Sequence, residues 1–321
     1  MLEAEAPTEP KPKRPRRSAA VTAEESGVWY PRWFWPSFAV PGAAWLLVLF
    51  VLPFYVILSV AFGAVDFFRN PLPVWQPWYW TKAYLTDVLG KIFGANAFLR
   101  PTYLRTFLYV LFASTLCLLI GYAVAYYVAR FAGKRRTLIL VLLISPFWIS
   151  YLMRMLAWVN LLSNDGYVNK VLTFLHVVPQ PIKWLEGNPV TVVLGLVYGY
   201  VPYMILPLYG FLDRIETSLL EAGRDLGAGP ASTFWRVTLP LSRPAIYAGL
   251  VIVALPMFGD YYTTTLLSGS PKTTMIGNLI DDAVGTAGRG PEGAVFVILL
   301  MILLIVPMLY YMRTLKNQEV A

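Results

Sequence analysis

Long apolar runs, rather than alternating ones, dominate the pattern of this chain. Six stretches are long and apolar enough to cross a hydrocarbon layer about 30 Å thick. They lie near 38–62, 104–131, 138–162, 189–212, 245–267 and 293–312. The first, fourth and sixth each hold at least 20 residues without Asp, Glu, Lys or Arg. The third and fifth each carry one charge, Arg154 and Asp260. The pattern predicts an all-α polytopic membrane protein with six transmembrane helices. No repeat of 20–50 residues is visible.

Composition agrees. Of 321 residues 57% are apolar and 14% charged, against about 25% charged in an ordinary soluble domain. A water-soluble globule is excluded. Orientation follows from the placement of Lys and Arg. With the N-terminus inside, the inner segments hold 16 basic residues and the outer loops nine, Arg154 completing the 26. Lys134-Arg135-Arg136 crowd one short inner loop. Both termini are therefore expected in the cytoplasm. Residues 1–37 read as a disordered cytoplasmic tail, poor in core-forming residues over 1–28, followed by an interfacial segment with Trp29, Tyr30, Arg32, Trp33 and Trp35. The first apolar run starts too far from Met1 for a cleavable signal peptide. Residues 38–62 form an N-terminal transmembrane helix, 104–312 the main membrane domain, and 313–321 a second cytoplasmic tail. Trp75, Trp78, Tyr79 and Trp80 suggest a segment of loop 63–103 lying on the outer surface.

Catalytic chemistry is not legible. The phosphate loop G-x-x-x-x-G-K-[ST] is missing: Gly133-Lys134 is followed by Arg135, and Gly90-Lys91 by Ile92. The chain is thus expected to be no enzyme and to bind no cofactor. One cysteine, Cys117, precludes an intrachain disulfide, and inside an apolar span it acts as a small hydrophobe. The single histidine, His176, cannot build a histidine metal site. Asp281-Asp282 read as solvated acids on the last outer loop. No metal site and no nucleic-acid surface are expected.

The longest inner loop, 216–244, is ordered by helix signals. Ser218-Leu219-Leu220-Glu221 fits a capping box. Leu219, Ala222, Gly223 and Leu226 then recur at helical spacing as one apolar stripe, with Glu221, Arg224 and Asp225 off it. Gly227 stands where a left-handed residue would end that helix. Gly229-Pro230 can start another turn, and Pro240 and Pro244 return the chain to the bilayer. A short amphipathic helix of this kind either rests on lipid headgroups or inserts into a groove on a soluble partner. The small residues Ala222, Gly223 and Gly227 favour close backbone approach, and so docking.

Glu221-Ala222-Gly223, Gly227 and then Val237-Thr238-Leu239-Pro240 resemble the EAA signature of ABC importer permeases: E-A-A, three residues, G, nine residues, I-x-L-P. The spacing is kept throughout, with Gly223 for the second Ala and Val237 for Ile. Gly223 lowers helix stability by about 1 kcal/mol relative to Ala. The resemblance covers roughly residues 104–312. It implies a type I ABC importer permease fold in a bacterial plasma (inner) membrane. It also implies an ATPase-docking surface carried by Ser218, Glu221, Ala222, Gly223, Asp225, Gly227, Val237, Leu239 and Pro240. The implied partners are an ABC ATPase dimer that uses ATP and Mg, a second permease subunit or second copy, an extracellular or periplasmic substrate-binding protein, and the lipid bilayer. Pro146-Phe147-Trp148-Ile149-Ser150-Tyr151-Leu152-Met153-Arg154, Gly259-Asp260 and Lys272-Thr273-Thr274-Met275-Ile276-Gly277-Asn278-Leu279-Ile280 are similar to segments of spermidine/putrescine importer permeases. Polyamine is the solute this likeness implies. The alternatives are another small solute of the same family, or a secondary transporter driven by an ion gradient.

Straight helices, rising about 1.5 Å per residue, put Arg154 and Asp260 at similar depths, roughly 25 and 22 Å from the inner side. An intramembrane charge faces a partner or a cavity. One expectation is an Arg154–Asp260 pair joining two helices. The other is a solute path lined by Tyr151, Arg154, Trp158, Asp260 and Tyr261. There Phe147, Tyr151, Arg154 and Trp158 share one helix face and Met257, Asp260, Tyr261 and Thr264 another. An acid with aromatic walls suits an ammonium group.

Overall fold

The structure is a computed structural model, and it describes residues 33–95 and 97–319. Most of the tail expected over 1–37 lies outside the described residues, including Trp29, Tyr30 and Arg32, and so does the end of the second tail, 320–321. The chain divides into two compact units, Met1–Phe54 and Tyr55–Ala321.

The described residues are almost wholly helical. In order they form α1 (Phe34–Ala61), a two-stranded antiparallel ribbon of β1 (Ala64–Val65) and β2 (Pro71–Leu72), α2 (Ala83–Phe93) and α3 (Arg100–Arg130). There follow α4 (Arg136–Ile144), α5 (Tyr151–Leu162), α6 (Tyr167–Phe174) and α7 (Pro189–Leu212). Helices α8 (Thr217–Asp225), α9 (Pro230–Thr233) and α10 (Leu239–Leu241) make the loop 216–244, with a π turn at Phe234–Thr238. The chain ends with α11 (Arg243–Phe258), α12 (Tyr262–Leu267), α13 (Ile276–Gly285) and α14 (Gly290–Glu319).

Helices α1, α3, α7 and α14 are each long and apolar enough to cross a membrane. Two bent pairs raise the number to six if each is one span: 133–148 with 151–174, bent by 88°, and 230–241 with 243–258, bent by 62°. A continuous helix over 138–162 is therefore not what forms; the bend of the second pair, at Ser242, precedes 245–267, which breaks further on. In the first, Pro146 lacks an amide donor, α4 gives way to a 3₁₀ turn at Ser145–Trp148, and Ile149 is extended. Counting residues along a straight helix therefore no longer measures the depth of Arg154. In the second, Pro256 weakens the last turn and α11 stops at Phe258, leaving Gly259–Tyr261 outside any helix. The segments expected on the outer side hold three further helices, α2, α6 and α13, so Asp281 and Asp282 sit on a helix and not on a loop. Helix α14 also continues to Glu319, through the segment expected as a tail.

Packing in the second unit centres on α3, α7 and α11. Val110, Ala113 and Cys117 of α3 interlock with Leu196, Met204 and Leu208 of α7 and Val253 and Met257 of α11, all buried. A second cluster joins Val88 and Ile92 of α2 to Ala283 of α13 and Val295 and Phe296 of α14. Ion pairs rim that cluster. Lys91 reaches Asp87 at 2.6 Å and Glu292 at 3.0 Å, while Arg289 reaches Glu292 at 2.8 Å and Asp282 at 2.5 Å. Burial alone lowers the pKa of Lys91, but the hydrogen bonds to Asp87 and Glu292 outweigh it and hold the ammonium above its usual value.

Candidate functional site

The break after α11 places Asp260 at the wall of a cavity of about 340 Å³. Tyr151 comes from α5, Tyr200 and Tyr203 from α7, and Tyr261 and Tyr262 from the break and the start of α12. Asp260 is 6% exposed. Its Oδ2 accepts from the hydroxyls of Thr263 (2.9 Å), Tyr151 (3.0 Å) and Tyr200 (3.1 Å), and its Oδ1 accepts from the Thr263 amide (2.9 Å). The Tyr151 and Thr263 oxygens are themselves 2.5 Å apart. Each hydroxyl carries a single proton, so donation to Asp260 and donation between the two compete.

Arg154 is handled differently. It is 8% exposed, and its Cζ lies 4.2 Å from the Phe147 ring centroid, 5.4 Å from Tyr151 and 5.8 Å from Tyr198. A guanidinium over aromatic faces gains cation–π attraction. Its Nε and Nη1 are buried without a hydrogen-bond partner. The expected Arg154–Asp260 ion pair does not form: the carboxylate is satisfied by hydroxyls and an amide, while the guanidinium lies over rings with two nitrogens unpartnered. Both residues nevertheless line the same cavity. Of the five residues expected along the path, Tyr151, Arg154, Asp260 and Tyr261 meet there. Trp158 instead packs edge-on against Tyr198, centroids 5.3 Å apart. Phe147 reaches Arg154 across the break and not along one helix face. Met257 and Thr264 are buried away from the cavity.

The loop 216–244 forms largely as its signals predict. Helix α8 covers Thr217–Asp225, and Gly227 ends it with φ +81°. The Gly227 amide donates to the Arg224 carbonyl (2.8 Å) and the Ala228 amide to the Gly223 carbonyl (3.1 Å). These two bonds make a Schellman arrangement. Gly229-Pro230 starts α9. The capping box does not form. The N-cap is Glu216, two residues earlier than Ser218, and the Ser218 hydroxyl donates to the Glu216 carboxylate at 3.1 Å. Glu221 thus sits in mid-helix with no capping role. The apolar stripe is uncovered: Leu219 is 49% and Leu226 89% exposed. Gly223 faces the Thr233 and Val237 side chains. Val237, Leu239 and Pro240 lie in the π turn and α10. The loop is tied inward by the Phe234 ring against Tyr122 and Tyr126, and by Ser242 bonded to Tyr122 at 3.0 Å.

Both regions fall within residues 118–318, which match the profile of the family described as binding-protein-dependent transport system inner membrane component. The chain belongs to that family. It is a membrane permease component of an ABC transport system, and both the cavity and the loop are parts of a permease. Curated relatives span nearly all of it. The spermidine/putrescine transport system permease protein PotB of Escherichia coli (strain K12) is 34% identical over 282 residues, 86% of this chain and 96% of that protein. PotB of Haemophilus influenzae is 32% identical over 85% of this chain and 91% of its own length. The inner membrane ABC transporter permease protein YdcU of Escherichia coli (strain K12) is 30% identical over 76% and 82%. Among solved structures, a bacterial ABC transporter involved in the import of the acidic polysaccharide alginate superposes with a TM-score of 0.69 at 17% identity. It covers 89% of this chain and 96% of its own. At that identity the likeness fixes the fold alone, and the fold agrees with the expected one.

Tyr200, Tyr203, Tyr262 and Thr263 are site residues that the sequence did not yield. A signal existed in Tyr198-Gly199-Tyr200-Val201-Pro202-Tyr203, a tyrosine cluster inside an otherwise aliphatic span.

Proposed function

We propose that this chain is the permease subunit of a polyamine importer, passing solutes such as spermidine and putrescine inward past Asp260. The observation that carries the reading is one buried carboxylate in a cavity walled by five tyrosines, with no cation paired to it among the described residues. Alkylammonium groups need such a carboxylate and aromatic faces. The relatives named as spermidine/putrescine permeases support the same solute class. Arg154, with two buried nitrogens unpartnered, favours one second reading: a cation that also carries a hydrogen-bond acceptor. Dependence on a binding protein sets the ion-gradient alternative aside.

Transport in this reading is driven by a separate ATPase dimer that holds ATP and Mg, with a second permease subunit or copy completing the pathway. Helix α8 docks on the ATPase through Glu221, Asp225 and the exposed stripe of Leu219 and Leu226. Closure of the ATPase moves the loop, and its ties to Tyr122 and Tyr126 pass that motion to α3 and α11, switching access between sides. Both termini and the 213–244 loop face the cytoplasm, as the basic-residue count favours.

Two experiments test this reading. Uptake of labelled spermidine and putrescine is measured in vesicles holding the whole transporter and its binding protein. Saturable, ATP-dependent uptake is expected; a rate equal to that of vesicles without the transporter defeats the solute assignment. Orientation is tested with an impermeant thiol reagent on sealed cells, where buried Cys117 contributes little background. Phe67→Cys, at an almost fully exposed outer position, should label and Ala231→Cys should not. The reverse pattern inverts the topology. Ser268, an outer serine close in sequence to the cavity residues, is a poor probe because it is buried and bonded to Thr273.

A further inference from the structure

Between Phe258 and Tyr262 the chain has no helical ladder to hold it, yet Asp260 needs a fixed position to meet a charged solute. The support comes from the segment that follows α12. Asn278, in the first turn of α13, uses its amide completely. Its Oδ1 accepts from the Met275 amide (2.9 Å) and the Thr264 hydroxyl (2.6 Å). Its Nδ2 donates to the Tyr261 carbonyl (3.1 Å) and to Thr265 Oγ1 (2.9 Å). The Met275 amide can only donate and the Tyr261 carbonyl can only accept, so the amide has one orientation. Beside it, Gly277 lies directly against the break. A Cβ there would stand 2.5 Å from the Gly259 carbonyl oxygen and 2.7 Å from that of Asp260, so no larger residue fits without moving them.

This segment is itself anchored. From α3, Arg105 donates to the Thr274 carbonyl through Nε (2.9 Å) and Nη2 (2.6 Å), and to the Lys272 carbonyl through Nη1 (2.6 Å). Thr106 Oγ1 accepts from the Ile276 amide at 3.0 Å. The run 272–278 is thus fastened to α3 on one side and grips 259–265 on the other.

We propose that Asn278 is a positioning residue for the transported solute. Through Tyr261, Thr264 and Thr265 it fixes where the Asp260 carboxylate stands in the cavity, and so sets which spacing of positive charges passes. Gly277 supplies the close contact, and Arg105 with Thr106 the anchor. The inference rests on the reading of Asp260 as the ammonium contact. A residue that merely held the fold together would change how much transporter assembles; one that positions a carboxylate changes the preference among solutes.

The test is the ratio of putrescine to spermidine uptake by the assembled transporter with its own binding protein, each solute at saturation. The amount of transporter cancels in that ratio. Asn278→Asp keeps the acceptor and removes the donor to Tyr261, and should shift the ratio at least threefold. Thr264→Val, which removes a single hydroxyl, should shift it in the same direction, and Thr264→Ser should restore it. If Asn278→Asp does not assemble, the Thr264 pair decides. Asp260→Asn separates the two levels of the claim. A ratio moved by Asp260→Asn but unmoved by Asn278→Asp and Thr264→Val overturns the positioning role and leaves the Asp260 reading standing. Uptake of both solutes within twofold of wild type in Asp260→Asn, or no uptake by the wild-type transporter, defeats that reading and this inference together.

Discussion

Leu219 on α8 and Leu226 at its C-cap are 49% and 89% exposed, whereas Asp260, 6% exposed, is enclosed by side chains from α5, α7 and α12. The loop is made of consecutive residues whose local signals, a left-handed glycine and an N1 proline, do most of the ordering. The cavity is made of residues up to 112 positions apart, joined where helices break. The difference follows from what each surface meets. On the proposed function the loop stays open to a large partner, so its own chain stabilises it only locally. A solute path must keep a charge in a low-dielectric interior, and a charge there needs donors converging from several directions.

The largest expected effect falls on the cavity. Asp260→Asn removes the charge while keeping the side chain's size. Loss of one partner of a buried, hydrogen-bonded charge pair costs roughly 2–5 kcal/mol. Polyamine uptake should therefore fall about 30-fold or more, with the ATPase still co-purifying. Uptake within twofold of wild type would separate the carboxylate from the solute. Next comes Gly227→Val in the loop, at a position whose φ is positive. A β-branched residue forced into the left-handed region costs roughly 1–2 kcal/mol. The variant should lose coupling, with ATP hydrolysis no longer stimulated by the loaded binding protein. Normal stimulation would mean that the turn after α8 does not transmit force.

Tyr200→Phe tests the cavity more gently. It deletes one of the four hydrogen bonds on Asp260. A hydrogen bond to a charged group is worth about 1.5–3 kcal/mol, and the three donors that remain recover part of it. Uptake should drop severalfold, less than for Asp260→Asn. Equal losses would indicate that the hydroxyl itself contacts solute. The smallest effect is expected at Glu221, an exposed position. A rim charge contributes under about 1 kcal/mol and does so in a salt-dependent way. Glu221→Gln and Glu221→Ala should both weaken ATPase association severalfold at low salt, and the difference should vanish at high salt. Since Glu221 does not cap α8, the two substitutions should match. An alanine variant much worse than the glutamine one would restore a capping role.

Much of this protein was decided by sequence alone. Apolar runs set the helices of the membrane domain, because hydrocarbon tolerates no unsatisfied backbone. Helix signals placed α8 in the loop 216–244, and Gly227 ended it through its own φ, a property that needs no tertiary partner. Arg154 and Asp260 stood out because charges are rare in spans, and Tyr151 and Tyr261 stood out by their spacing from those charges. Tertiary structure decided the rest. The breaks at Pro146 and after Phe258 were legible only as prolines and a glycine; whether such residues kink a helix or end it depends on which neighbours take up the freed groups. The partners of Asp260 were out of reach of any spacing rule, because Tyr200 arrives from another helix. Asn278 looked like one more polar residue in an outer segment. Its function as a clamp exists only because folding brings 259–265 within hydrogen-bond distance of 275–278, and contact between segments is a property no local pattern encodes.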